Sequence, residues 1–204
     1  MKAMIQQKMI AEDSVHHNCL FFGRDENGVI RSCALRGSTD VKFRGEAPGG
    51  DKSCTFAMAG NNDVLRLFES PIDAMSHATF TKLLGKDWTA DHRLSVNGSG
   101  NYESIKRYLA NHTEIKSVWF CYDSDQAGHD GAEASSSRIF EDFPDRELSV
   151  MSCSPVKNKD WNEALQLFRV LESHGVTVRE FLAPTEFQSI PPPDCEQDEF
   201  ECEL

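Results

Sequence analysis

The chain has 204 residues, enough for one sizeable core or for a core with a small appendage, and its formal net charge is −12. It contains no run of 18 apolar residues and its first residues are polar, so we expect neither a membrane span nor a secretion signal. Seven cysteines without a Cys-x-x-Cys pair argue against a disulfide framework or a zinc ribbon, and favour a reducing cytoplasm.

The first 60 residues predict a small module rich in β-hairpin structure. Residues 2–11 have a helical apolar pattern, and the Asn-Gly pair within Asp25–Gly28 is typical of a hairpin turn. The strands predicted for this module are Asn18–Gly23, Val29–Leu35 and Ser53–Ala57. We therefore treat residues 1–60 as a separate N-terminal unit.

Three basic residues lie among glycines between the second and third of these strands. They are Arg36, Lys42 and Arg44. In most proteins such residues belong to a solvated loop. Because arginine and lysine also bind phosphate oxygens, the alternative is a loop that contacts nucleic acid.

From Val64 onward apolar strands alternate with helical segments, the pattern of an α/β fold with a mostly parallel central sheet. The predicted strands are Val64–Phe68, Arg93–Val96, Ser117–Tyr122 and Glu147–Met151. The predicted helices are Pro71–Leu84, Tyr102–Asn111, Ala127–Phe140 and Asp160–Ser173. Residues 61–175 therefore form the main domain.

Two of these strands end in carboxylates. Glu69 follows the first strand, and Asp123 and Asp125 follow the third. Alternate residues of an extended chain point the same way, so the two aspartates are side by side and repel each other unless a cation lies between them. Magnesium, or manganese, suits such an oxygen site. The alternative is that Asp123 caps the next helix and Asp125 is a solvated turn residue.

Further motifs make a family resemblance specific. The sequence Phe-Glu-Ser-Pro-Ile-Asp-Ala contains Glu69 and Asp73, Gly98 lies in Asn-Gly-Ser-Gly, Gly128 closes Asp-Ser-Asp-Gln-Ala-Gly, and Asp160 follows a lysine. In order, spacing and strand-end placement these motifs resemble a Toprim domain, with the primase branch closest. Residues 16–37 resemble a module of unknown function that precedes Toprim domains in many plasmid and integrative-element proteins.

The resemblance implies a Toprim-like α/β sandwich and roles for individual residues. Asp123 and Asp125 would hold the metal, with Asp160 as a further or outer ligand. Glu69 would be a general acid or base, or another ligand. Asp73, Gly98 and Gly128 would support the site. These roles imply magnesium-dependent nucleotidyl or phosphoryl transfer on DNA or RNA of a mobile element, with primer synthesis as the first reading and nuclease cleavage as its alternative.

A third reading is a binding or regulatory module with a degenerate site. Primases often carry a second acidic residue two positions after the one matched by Asp160, and this chain has Asn162 there. The zinc-binding part with which primases hold template has no match in the sequence. Both departures put autonomous priming in doubt, and neither affects Glu69, Asp123 or Asp125.

The final residues are acidic. From Glu180 to Leu204 there are eight acidic residues and no lysine or arginine, which leaves a charge of about −4 for the rest of the chain. We predict that the third region of the chain, residues 176–204, is an acidic, disordered tail, with residues 184–204 as the stretch that lacks stable structure. Because the rest is also mildly acidic, we expect weak contact with nucleic acid, aided by metal and by a replication or mobilisation protein as partner.

Overall fold

The structure is a computed structural model, and it describes residues 2–39, 43–155 and 158–183, together with the backbone of residues 188–189. Lys42 and most of the predicted tail lie outside the described residues. The fold is α/β, as predicted, with one antiparallel sheet and one mostly parallel sheet.

The N-terminal module contains a short helix and a four-stranded antiparallel sheet in the order β1-β2-β3-β4. Gly28, at φ 77°, closes the predicted turn between the two longest strands, and its N–H donates to the Asp25 carbonyl over 2.9 Å. The elements are α1 (Lys2–Gln6), β1 (Ile10–Glu12), β2 (Cys19–Arg24), β3 (Ile30–Arg36) and β4 (Arg44–Glu46).

The central sheet has six strands in the order β10-β9-β8-β6-β7-β5. Its four inner strands are parallel, and the two edge strands run antiparallel to their neighbours. The strands are β5 (Ala57–Met58), β6 (Val64–Phe68), β7 (His92–Ser95), β8 (Ser117–Phe120), β9 (Ser149–Ser152) and β10 (Gln188–Ser189). The prediction for residues 53–57 was largely wrong, because only Ala57 of that range belongs to a strand.

Helices cover both faces of this sheet. The remaining ones are α2 (Pro71–Leu83), α3 (Tyr102–Asn111), α4 (Gln126–Asp142), α5 (Trp161–Glu172) and α6 (Val178–Leu182). On one face Phe80 of α2 packs with Phe168 of α5 and Phe181 of α6. On the other face Ile105 of α3 and Ile139 of α4 pack with strand residues in a second core cluster. Burial on both faces explains the continuous apolar strands.

The prediction of a disordered tail from residue 176 is wrong at its start. Residues 178–182 form α6, which starts with a capping box between Thr177 and Glu180. Phe181 is 4% exposed against the aromatic cluster, so its burial stabilises this short helix. The disorder predicted for residues 184–204 stays a prediction, since those residues lie outside the described part except for the strand pairing of Gln188 and Ser189.

The N-terminal module is joined to the central sheet by its last residues. Phe56 forms a bridge with Gly23 of β2, and its carbonyl accepts the Ser95 N–H of β7 over 2.9 Å. A Cβ on Gly23 would lie 2.1 Å from the Cys54 carbonyl oxygen, so only glycine permits this approach. The junction places the β3–β4 hairpin beside the carboxyl ends of the parallel strands.

Candidate functional site

Glu69 and Asp123 meet where β6 and β8 end. The Glu69 carboxylate accepts the backbone N–H of Asp123 over 3.2 Å at Oε1. The Glu69 carbonyl in turn accepts the Gly98 N–H over 3.0 Å. Gly98 has φ 114°, which only glycine adopts readily. The loops after three neighbouring parallel strands therefore converge on Glu69, as expected at the carboxyl edge of such a sheet.

Three other polar residues of the motifs cap helices. Ser70 caps α2, Asp125 accepts the Gly128 N–H at the start of α4, and Asp160 accepts the Glu163 N–H at the start of α5. The alternative that we considered to metal binding made Asp123 the cap of α4. The structure corrects this, because the cap is Asp125, and Asp123 lies two residues earlier, nearer the end of β8. Asp125 and Asp160 thus have a structural role whatever else they do.

Most of the predicted site residues are brought together in one open cleft of about 730 Å³. Its walls come from both parts of the chain: β3, β4 and the loop between them on one side, and the carboxyl ends of the central sheet on the other. Its lining includes Arg36, Arg44, Glu69, Asp73, Gly98, Asp123 and Asp160. Asp125 and Gly128 are not part of the lining and lie behind it at the start of α4.

The acidic residues of the cleft repel one another. Burial raises the pKa of Asp123 to about 7, and the charges of Glu69, Asp73 and Asp160 act in the same direction. Burial likewise raises the pKa of Asp73 to about 6, although Ser70 donates a hydrogen bond to its carboxylate. Burial also raises the pKa of Glu69. This cluster has more negative charge than its surroundings neutralise, which favours a bound cation.

Lys159 supplies part of the missing positive charge. Its Nζ lies 3.0 Å from Asp125 Oδ2 and 3.8 Å from Asp123 Oδ2. The hydrogen bond from Lys159 lowers the pKa of Asp125, in contrast to that of Asp123. The pKa values of these two aspartates therefore shift in opposite directions. Asp125 pairs with the exposed ammonium group of Lys159, whereas Asp123 is partly buried among carboxylates.

Oxygen ligands of this kind fit magnesium or manganese. Among the described residues, no three carboxylates of the cleft bring one oxygen each within 4.8 Å of one another. A divalent cation here would therefore bind one or two carboxylates directly and reach the others through water, as magnesium commonly does. Asp123 and Glu69 are the best placed, since they are adjacent and have raised pKa values.

Two of the three predicted basic residues face this acidic cluster. Arg36 and Arg44, from β3 and β4, line the opposite wall of the cleft. Burial lowers the pKa of Arg36 and the charge of Arg44 acts in the same direction, whereas the charges of Asp73 and Glu46 oppose it. Lys42, the third predicted contact, lies outside the described residues.

Sequence reasoning missed the contribution of β4 and of Asn97. Asn97 has φ 55° and its side-chain amide donates to Glu46 Oε1 over 3.1 Å, which links the Gly98 loop to the N-terminal module. Its sequence signal was the Asn-Gly pair, since asparagine tolerates the left-handed region. No comparable signal marked β4, because Arg44–Glu46 is short, polar and contains glycine.

We expect the Asp123→Asn variant without metal to be more stable than the wild type at pH 8, by about 2 kcal/mol, and equally stable near pH 4. An aspartate whose folded-state pKa is raised takes up protons on folding. Its contribution to stability is complete below the unfolded pKa and is lost as pH rises through about 7. Urea denaturation of both proteins between pH 4 and pH 8 measures the difference.

Asp125→Asn is the matched control, because its pKa is lowered rather than raised. The Asp125→Asn variant should be no more stable than the wild type at pH 8. A stability gain for Asp123→Asn that does not change with pH would show that ionisation of Asp123 is not its cause.

Family models match most of the chain. A model described as Toprim-like matches residues 66–165, and a model described as a protein of unknown function (DUF3991) matches residues 1–62. No curated protein matches the sequence. Within the described residues, every helix is too short or too polar to cross a bilayer.

Several solved primase structures share the fold. The primase fragment of the bacteriophage T7 primase-helicase protein has a TM-score of 0.57 and 17% identity, covering 83% of this chain and 67% of that one. A DNA primase domain from Pseudomonas aeruginosa has a TM-score of 0.52 and 19% identity, covering 84% of this chain and 58% of that one. The E. coli primase catalytic core has a TM-score of 0.54 and 14% identity, covering 89% of this chain and 62% of that one. This chain thus spans about three fifths of the length of the two bacterial structures.

Proposed function

The chain belongs to the Toprim-domain proteins, with a module of unknown function in front of that domain, and on this basis we propose that it is a magnesium-dependent enzyme of nucleic acids. The reaction proposed is primase-like nucleotidyl or phosphoryl transfer. One observation carries the proposal: the acidic edge at Glu69 and Asp123 shares a cleft with Arg36 and Arg44. Such a cleft has carboxylates for a divalent cation on one wall and guanidinium groups for phosphates on the other.

Each acidic residue then has a part in the reaction. Asp123 would hold the cation directly, with Glu69 beside it. Asp125, which lies outside the cleft lining and pairs with Lys159, would bind the cation once that pair opens, and Asp160 would be an outer ligand. When bound, magnesium or manganese would offset charge on the reacting phosphate and lower the pKa of the attacking hydroxyl. Glu69 has a raised pKa and one carboxylate oxygen engaged by the Asp123 N–H, which leaves the other to accept or release a proton.

Arg36 and Arg44 would bind the phosphate backbone. They come from the N-terminal module, so that module would contribute to substrate binding. Because the whole chain is acidic, contact with DNA or RNA would be weak and dependent on metal. A replication or mobilisation protein of a mobile element would supply the remaining affinity.

Synthesis and cleavage need the same site and differ in the nucleophile. A 3′-hydroxyl would give primer extension, whereas water would give nuclease activity. Primer synthesis is the first candidate, because the solved structures that share this fold are primases.

A specific observation supports a second candidate, a binding module without catalysis. Lys159 already lies 3.0 Å from Asp125, and Asp125 and Asp160 already cap helices. Lys159, Asp125 and Asp160 therefore each have a partner within the protein. In this alternative the cleft would bind nucleic acid through Arg36 and Arg44 alone.

The test is a magnesium and manganese titration of the whole protein with single-stranded DNA and RNA, assayed both for primer synthesis and for cleavage. We expect metal-dependent activity in one of the two assays. The activity of the Glu69→Gln variant should be lower by at least about a hundredfold, as expected when a general acid or base is lost. The variant should still keep part of the wild-type magnesium affinity.

Glu133→Gln is the control, since Glu133 is exposed on α4 away from the cleft lining. It should behave like the wild type. Folded wild-type protein with neither activity at any metal concentration would favour the binding module instead.

A further inference from the structure

A second group of metal-binding side chains lies at the opposite end of the central sheet. It consists of His92 at the start of β7, His112 at the end of α3, and Glu114 in the loop before β8. Each offers one ligand atom, and the three atoms lie within 4.8 Å of one another. The acidic cleft lies beyond the other end of β7, so the two groups are separated by the length of that strand.

The distances within the group suit a single small cation. His112 Nδ1 lies 2.8 Å from Glu114 Oε1, and His92 Nε2 lies 3.9 Å from the same oxygen. The backbone carbonyl of Asn62 lies 3.1 Å from His92 Nε2 and adds a fourth donor atom. Two imidazoles with oxygen ligands are typical of zinc and similar divalent metals, whereas magnesium prefers oxygen alone.

The surroundings orient the two histidines. The Nδ1 atom of His92 lies 3.0 Å from the Tyr108 hydroxyl, so the ring is held through the nitrogen that faces away from Glu114. Tyr108 also stacks on His112, with ring centroids 4.2 Å apart. Histidine ligands of metals are commonly fixed in this way through their second nitrogen. His92 is buried, with 2% of the residue exposed, so protein contacts rather than solvent fix its position.

The group carries net negative charge when its histidines are neutral. His112 is the C-cap of α3, and Arg146 already donates to the Leu109 and His112 carbonyls at that helix end, so the charge comes from Glu114 rather than from the helix dipole. Glu114 adds a full negative charge, and the Asn62 carbonyl adds a partial one.

We propose that His92, His112 and Glu114 form a zinc-type binding site, with the Asn62 carbonyl as a fourth oxygen donor. The cation would take the place of a proton on His92 Nε2. It would tie together the segments that precede β6 and β8 and the start of β7. The site is separate from the proposed catalytic cleft and does not depend on its function.

The test is isothermal titration of the full chain with zinc, in millimolar magnesium and in a Cys19→Ser background. Magnesium would occupy the oxygen ligands of the cleft, and the substitution removes an exposed thiol that would bind zinc itself. We expect one zinc per chain. The variants His112→Phe and Glu114→Gln should each weaken binding at least about tenfold.

Phenylalanine keeps the stacking on Tyr108, and Glu114 is exposed, so neither change should unfold the protein. His174→Phe is the matched control, because His174 is an exposed histidine in the turn after α5, and it should bind zinc like the parent. Anomalous diffraction at the zinc edge should place the metal between His92 and His112. Parent protein without zinc binding, variants that bind as tightly as the parent, or zinc located elsewhere would each overturn the proposal.

Discussion

Replacement of Asp123 and Asp125 together by asparagine should abolish metal-dependent activity. We expect a loss of at least about a thousandfold, because the cation contributes several kcal/mol of charge stabilisation in phosphoryl transfer. The variant should also lose the magnesium-induced rise in the thermal midpoint, which in the wild type follows from binding to the folded state alone. Thermal unfolding with and without magnesium, beside the two activity assays, measures both losses.

The variant should nevertheless fold. Asparagine caps a helix as well as aspartate, so α4 keeps its start at residue 125. The ion pair between Asp125 and Lys159 is exposed and contributes little, whereas removal of the Asp123 charge relieves repulsion. Without metal the double variant should be at least as stable as the wild type.

Asp145→Asn, an exposed aspartate after α4, is the control and should keep the magnesium response. A wild-type midpoint that magnesium does not move would argue against the metal site.

Replacement of Gly128 by alanine should destabilise the protein by about 3 kcal/mol and remove activity. Alanine normally strengthens a helix by up to about 1 kcal/mol relative to glycine. Here its Cβ would lie 2.2 Å from the Asp123 carbonyl oxygen and 3.1 Å from Glu69 Oε1. To relieve that overlap, α4 must move away from the ends of β6 and β8, which separates the groups of the cleft.

Gly100→Ala is the matched control. A Cβ on Gly100 meets no atom within 4 Å, so that variant should keep both stability and activity. Urea denaturation compares the two variants. Equal stability of Gly128→Ala and Gly100→Ala would show that the approach of α4 to Asp123 is not needed.

The central part of the fold was predictable because its signals are local. The strand Val64–Phe68 and the helix Tyr102–Asn111 have the predicted bounds, since continuous apolar runs and clear helix starts mark them. The meeting of Glu69 and Asp123 followed from parallel strands ending at one edge.

Other features depend on contacts between distant parts of the chain. The alternative to metal binding made Asp123 rather than Asp125 the cap of α4, because both aspartates are good caps and the sequence does not show where the helix begins. The short strand β4 is held by its pairing with β3, and α6 is held by the burial of Phe181. The group of His92, His112 and Glu114 is assembled by the fold from three separate segments.

The pairing of β5 with β7 affects how this protein can be divided. The two family models meet between residues 62 and 66, after β5 has already joined the central sheet. A fragment that begins at that boundary would lack the edge strand, and Ser95 would lose its backbone partner at Phe56. The uncovered edge of β7, whose four residues are all buried in the whole chain, would then be open to pairing with a second molecule. If these two units were exchanged between proteins, we therefore expect soluble products only when the segment from Phe56 to Met58 remains attached to the C-terminal unit.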